Sequence, residues 1–328
     1  MRQQSFASLA EGRQKRTTRK AEFLKRMETL VPWTQLQSLI EPHYPKAGRR
    51  GRQPVGLDRM LRMYFLQQWF SLSDEGTEEA LYDMPVFRNF VGVDLWDESV
   101  PDATTLLNFR HLLERHDLTR QMFEHINGLL EAEGLLMREG TMVDATIIDA
   151  PSSTKNADKA RDPQMHQSKK GNQWYFGMKA HIGADIHSGL VHSLQTTAAN
   201  AADVTQTEHL LHGQEQSVWA DAGYVGADKR EGLKDKDLTW RIAQRRSQVK
   251  KLEEGSELRR LVEEAETLKA KVRSRVEHAF HILKNLFGHR KARYKGLAKN
   301  EAQLFSLFAL GNLVMAERLR AKYAQGAS

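Results

Sequence analysis

Three carboxylates spread along the chain have the types and settings for metal chemistry: Asp144, Asp221 and Glu277. Asp144 sits inside the β-branched run TMVDATIID that starts at Thr141. An aspartate in the middle of such a strand is costly unless it is paired or metal-bound. Asp221 ends a short predicted strand, just ahead of Ala222-Gly223-Tyr224. Glu277 is the single acid between Lys269 and Lys299, a stretch that holds ten Lys and Arg. In an α/β sheet, side chains at the carboxyl ends of adjacent strands converge. Hard oxygen ligands without a thiolate suit Mg²⁺, with Mn²⁺ as a substitute. Two such ions about 3.5–4 Å apart can activate an attacking oxygen and stabilise a leaving one in phosphoryl transfer. A chain with 42 acids always offers some Asp/Asp/Glu trio, so the trio gains weight only from where its members lie.

The helix around Glu277 supplies that setting. At about 100° per residue, Arg273, Glu277, His281 and Lys284 fall on one side. Val272, Val276, Ala279, Phe280, Ile282, Leu283 and Phe287 fall on the other, a face that can pack on a core. An i,i+4 pair between Arg273 and Glu277 contributes only about 0.2–0.5 kcal/mol and does not explain the density of cations. Arg273, Lys284, Arg293 and Lys295 are better suited to holding the phosphates of a nucleic acid. A second basic segment opens the chain. Residues 1–52 carry twelve Lys and Arg against four Glu, including Arg49, Arg50 and Arg52 in a glycine-broken loop. The formal net charge is only +7, so the remainder is acidic. Concentrated basic segments on an acidic body point to a polyanion partner. A solvated arm would carry the same charges at the N-terminus.

The elements that must position these residues are of two kinds. Residues 1–50 read as a basic, partly ordered arm. Helical periodicity follows: Leu57, Leu61, Tyr64, Phe65 and Trp69, then Asp74 to Tyr82, a helix start at Pro101-Asp102-Ala103, and a helix from Leu118 to Glu133 closed by Gly134. The aromatics there read as core. The pattern changes near Thr141. Thr141–Asp149, Trp174–Ala184 and Leu190–Thr197 read as consecutive strands, with Ser152–Asn172 a polar connection. Short elements follow: a helix Asp203–Leu211, a strand Ser217–Asp221, a helix Gly226–Leu233 and a strand Leu238–Ala243. Residues 245–268 read either as an inserted helical arm or as a longer lead-in to the Glu277 helix. A last helix spans Asn300 to Tyr323. This order predicts an α/β protein: a ribonuclease H-like mixed sheet flanked by helices over 136–328, preceded by a mostly helical domain over 1–135. Lys179 and His181 share one face of their strand, which the sequence does not orient toward the acids.

The chain has no cysteine, which excludes disulfides, thiolate zinc sites and a cysteine nucleophile, and suits a reducing cytoplasm. No apolar run approaches the ~20 residues of a membrane span. The N-terminal stretch lacks the apolar region of a secretory signal. A cytoplasmic protein without a membrane partner is the expectation.

Five stretches carry a resemblance: VDATIIDAPSSTKN from Val143, WYFGMKAHIGAD from Trp174, TTAANAADV from Thr196, WADAGYVG from Trp219, and RSRVEHAFHILKNLFGHRKARYKGLAKN from Arg273. Together they resemble the DDE transposases of bacterial insertion sequences, most of all the insertion-sequence family numbered five. The resemblance implies that Asp144, Asp221 and Glu277 are the catalytic, metal-binding triad. It implies two Mg²⁺ ions per site and a nucleoid-associated protein working on double-stranded DNA as a homodimer or larger assembly. Members carry a Tyr-x2-Arg-x3-Glu-x6-Lys signature, matched by Arg273, Glu277 and Lys284, while Ala270 stands at the tyrosine. The N-terminal helices would bind the terminal inverted repeats. Metal-dependent cleavage would expose a 3′-OH that then attacks target DNA. Lys179 and His181 are lesser candidates for DNA contact. Two alternatives remain: a DNA-binding remnant without catalysis, and a metal-dependent nuclease of the same fold.

Overall fold

The computed structural model describes residues 16–48, 53–96, 98–157 and 159–326. Arg49, Arg50 and Arg52 lie outside the described residues. The N-terminal part is helical: α1 (Arg19–Leu30), α2 (Trp33–Ile40), α3 (Leu57–Phe70), α4 (Asp74–Asp83), α5 (Pro85–Val91), α6 (Ala103–Arg115) and α7 (Leu118–Ala132). Local chemistry sets several boundaries. Thr18, Ser73 and Asp102 each accept a backbone N–H at the first turn of α1, α4 and α6. Beyond α7, Gly134 turns the chain at φ +71°. The part of the expected arm that is described is therefore two packed helices, with Leu24, Met27, Leu36 and Ile40 buried.

The sheet has six strands: β1 (Gly140–Asp149), β2 (His166–Lys170), β3 (Gln173–Asp185), β4 (Val191–Ala198), β5 (Ser217–Ala220) and β6 (Thr239–Ile242). β1 pairs antiparallel with β3, and β3 with β4, while β5 joins β1 and β6 joins β5 in parallel. The order β4-β3-β1-β5-β6 matches the ribonuclease H-like expectation. β2 is a correction, because the polar connection contains a strand that pairs with the first half of β3. Its exposed, lysine-rich sequence has no apolar alternation to announce it. Gly177 is where β1, β2 and β3 meet; a Cβ there would stand 2.1 Å from the Ile148 carbonyl oxygen.

Two expected short helices are also corrected. Residues 203–206 form a 3-10 turn leading into one helical turn, α8 (Thr207–Leu210), and only a 3-10 turn spans Ala227–Lys229. After α9 (Arg246–Val249) comes α10 (Glu257–His281), which continues into a π-helical turn, Ile282–Leu286. Residues 257–268 are continuous with the helix that carries Glu277. The last helix, α11 (Leu297–Gly326), lies between α7 and β4. One apolar core joins the helices of the N-terminal part, α10, α11 and one face of the sheet. Buried polar contacts cross the same seam: Tyr64 Oη to Ser306 Oγ at 2.9 Å, and Asn312 to both Asn127 and the Val191 carbonyl.

Candidate active site

Alternation along β1 puts Met142, Asp144, Thr146 and Ile148 on one face and Val143, Ala145 and Ile147 on the other. Met142 and Ile148 belong to the core beneath α10, whereas Val143 packs with Val218, Ala220 and Tyr224 on the opposite side. Asp144 therefore faces α10. In the parallel β1/β5 ladder Met142 stands opposite Trp219, and Asp144 and Asp221 each come two residues later. The register thus sets the two aspartates side by side on the same face. Asp221 caps the following 3-10 turn, its Oδ1 accepting from the Gly223 N–H at 2.7 Å. A Cβ at residue 223 would come within 2.9 Å of that oxygen, so glycine keeps the approach open.

The electrostatics agree with this placement. Burial pushes the Asp144 carboxyl up from 3.8 to about 6, and the Asp221 charge pushes the same way. The Ala145 N–H, which Asp144 Oδ1 accepts at 2.7 Å, opposes the shift, as do the Arg273 and Lys170 charges. Tyr224 is buried with no partner for its hydroxyl among the described residues, and burial together with Asp144, Asp203 and Asp221 drives its pKa well above 10.0.

Glu277 is exposed on α10, one turn after Arg273. Two observations show where that helix side points. The Arg273 charge reaches Asp144, and Lys284 Nζ donates to the Ile147 carbonyl of β1 at 2.7 Å. Glu277 lies between these two cations on the same side of α10. Among the described residues, no three His, Asp or Glu side chains stand close enough together to hold a metal ion. The structure brings Asp144 and Asp221 together and does not bring the Glu277 carboxylate into a closed three-ligand set. Two like charges side by side, one of them largely buried, form the donor pair a hard divalent cation would relieve.

The remaining expected contacts divide. Lys179 and His181 stand apart from the acids. They pair with Ile147 and Ala145, on the face away from Asp144. Lys179 Nζ is held by Asp203 and the Ala201 carbonyl, both at 2.8 Å. His181 is fully buried, and burial lowers its pKa to about 4. Arg293 is tied to the helical part: its guanidinium donates to the carbonyls of Ser71 and Leu72 at the end of α3. Arg293→Ala is expected to lower unfolding stability by about 1–3 kcal/mol. The salt dependence of DNA binding should stay unchanged, as a denaturant titration and a binding series would show. Lys295 lies on the surface.

Two residues near the acids are absent from the sequence-based set. Lys170, at the end of β2, acts on both Asp144 and Lys284. It was hidden because β2 reads as connection. Tyr224 follows Asp221 by three residues, the one sequence signal that ties it to the acids.

Residues 136–313, more than half of the chain, match the family model described as a transposase DDE domain. The chain belongs to the DDE transposase family. Residues 12–112 of the transposase match a second model, described as a transposase domain (DUF772). The first match covers the whole sheet, α10 and the first part of α11; the second runs from α1 into α6, and α7 lies between the two. Neither distinguishes an insertion-sequence family. No solved structure matches the transposase. DNA is its implied substrate, and its family is generally dependent on divalent metal. Among the described residues, no helix is long and apolar enough to cross a membrane.

Proposed function

We propose that this transposase binds the terminal inverted repeats of an insertion sequence, cleaves the DNA at their ends, and joins the exposed 3′-OH to target DNA. The observation that carries the reading is the pairing of Asp144 with Asp221 on the sheet face that α10 covers, with Arg273 and Lys284 on either side of Glu277. Asp144 and Asp221 would hold divalent metal, and Glu277 would complete the ligand set when DNA is seated. Two bound Mg²⁺ ions, or Mn²⁺, would supply activation of the attacking oxygen and charge stabilisation of the leaving oxygen. The residues around them have separate work. Arg273 and Lys170 add positive charge where a scissile phosphate must approach. Lys284 holds the end of α10 against β1. Burial around Asp144 strengthens each charge interaction there.

End binding would fall to the N-terminal helices. Arg19, Lys20, Lys25 and Arg26 line an open groove floored by Phe23 and Trp69. Arg49, Arg50 and Arg52 would add phosphate contacts. Both ends must be cut in coordination, so the working form would hold at least two protomers. The test is purified protein, Mg²⁺ and labelled terminal-repeat DNA. Nicking at the element boundary is expected, and binding without nicking in Mg²⁺ or Mn²⁺ would sink the reading. A pre-cleaved 3′-OH end should yield joined products; nicking without joining would leave a nuclease of the same fold. Lys170→Gln is expected to weaken DNA binding and reduce its salt slope by about one.

A further inference from the structure

The first half of α10 presents its apolar side to water. Leu258, Leu261 and Leu268 are 60%, 50% and 63% exposed, and Ala265 is exposed among them. Their spacing of three, four and three residues is the alternation of a heptad seam, and Val272 continues it into the core. The helix cannot roll to bury this stripe, because an adjoining side is tethered. Lys269 Nζ donates to the Ile242 carbonyl at 3.0 Å, and Glu266 accepts from the Gln244 N–H at 3.1 Å.

We propose that this stripe pairs with the same stripe of a second copy of the chain, antiparallel, forming a short two-helix seam. Self-complementarity supports the occupant and the direction. In an antiparallel pair Leu258 meets the partner's Leu268, and Leu261 meets the partner's Ala265, so large side chains face small ones at the centre. Every contact then occurs twice, as a two-fold interface requires. Flanking charges match as well: Glu257 approaches the partner's Lys271 at both ends. Near the axis Glu264 meets its own copy, but Arg260 already lies 3.5 Å from it on the same helix. A parallel pair would instead rely on Glu264 reaching the partner's Lys269, and Lys269 is committed to Glu266 and Ile242.

Four apolar positions per helix fall short of the roughly 1,200 Å² of a stable specific interface. Pairing is therefore weak in free protein and strong when two protomers share DNA. The seam lies on the rod that carries Glu277, so assembly and placement of the third acid are mechanically joined. This deepens the two-protomer reading above and rests on it for its purpose, though not for its geometry.

The chain has no cysteine, so introduced thiols are the only ones present. Full-length Leu258→Cys and Leu268→Cys proteins, mixed and oxidised, are expected to cross-link with each other and not with themselves. Cross-linking of either variant alone would overturn the antiparallel seam, and no cross-link in the mixture would overturn the surface. The exposed double change Leu261→Lys/Leu268→Lys should keep the fold by circular dichroism. It should lower self-association by at least tenfold in sedimentation and lose the paired-end complex while still binding single ends. Unchanged self-association in this variant also overturns the proposal. Mixed cross-linking in a protein that neither binds nor cuts terminal DNA would sink the transposition reading alone and leave the seam standing.

Discussion

Asp221→Asn protein is expected to bind terminal-repeat DNA as tightly as the wild type and to neither nick nor join it. The substitution keeps the local structure, because the asparagine carbonyl can still accept the Gly223 N–H that Asp221 Oδ1 takes at 2.7 Å. What it removes is a negative charge beside Asp144 on the face that α10 covers. Removing a group that acts on charge developing at the reacting centre lowers rates by about 10²–10³-fold, and more where several groups act as a unit. DNA affinity is set chiefly by cations on phosphates, so it should hold. Glu277→Gln should give the same loss if the exposed carboxylate closes onto the pair. A comparison with Arg273→Gln separates the roles, since loss of a phosphate contact changes affinity and salt dependence together. Near-wild-type cleavage by Asp221→Asn would remove Asp221 from the chemistry. Loss of binding along with cleavage would mean that the variant reports on folding instead.

The sequence carried the skeleton of this site further than its details. Asp144 stood out because a charged residue interrupted an apolar, β-branched run, and that anomaly survives as a largely buried carboxyl with a raised pKa. The buried side of the Glu277 helix followed from its period: Val276, Ala279, Ile282 and Leu283 are all in the core. Side-chain direction within the sheet was less legible. Lys179 and His181 share a face, but which face depends on how β3 pairs with β1, a fact held in the tertiary register and not in the strand's own pattern. Arg293 looked like any exposed arginine in a basic run, because its partners, the Ser71 and Leu72 carbonyls, lie more than two hundred residues away. β2 escaped notice because a hairpin arm outside the core needs no apolar alternation. The exposed leucines of α10 escaped because a charged run hides a stripe that only a partner would bury.

Metal-free Asp144→Asn protein is expected to be more stable than the wild type at pH 8 by roughly 2–3 kcal/mol, and no more stable at pH 4. Burial, followed by the Asp221 charge, lifts the Asp144 carboxyl to about 6 from an ordinary 3.8. The folded chain therefore holds that proton more tightly than the unfolded chain does. Below the unfolded value both states are protonated and the site costs nothing. As pH rises through about 6 the folded state must give up a proton it favours, and the penalty reaches its full size above that pH. Each unit of displacement corresponds to 1.36 kcal/mol, which sets the expected scale. Asparagine has no charge to desolvate, and its carbonyl can keep the Ala145 N–H while its amide can donate to Asp221. Divalent metal should reverse the order. Mg²⁺ would stabilise the wild type through its two aspartates, in proportion to occupancy, and do little for the variant. Thermal unfolding in chelator at pH 8 and pH 4, repeated with saturating Mg²⁺, measures all three effects. If the variant gains nothing at pH 8 in chelator, Asp144 is not held ionised against its environment. If it keeps its gain in Mg²⁺, the aspartate pair does not hold the ion, and the metal chemistry of this transposase must be sought with other ligands.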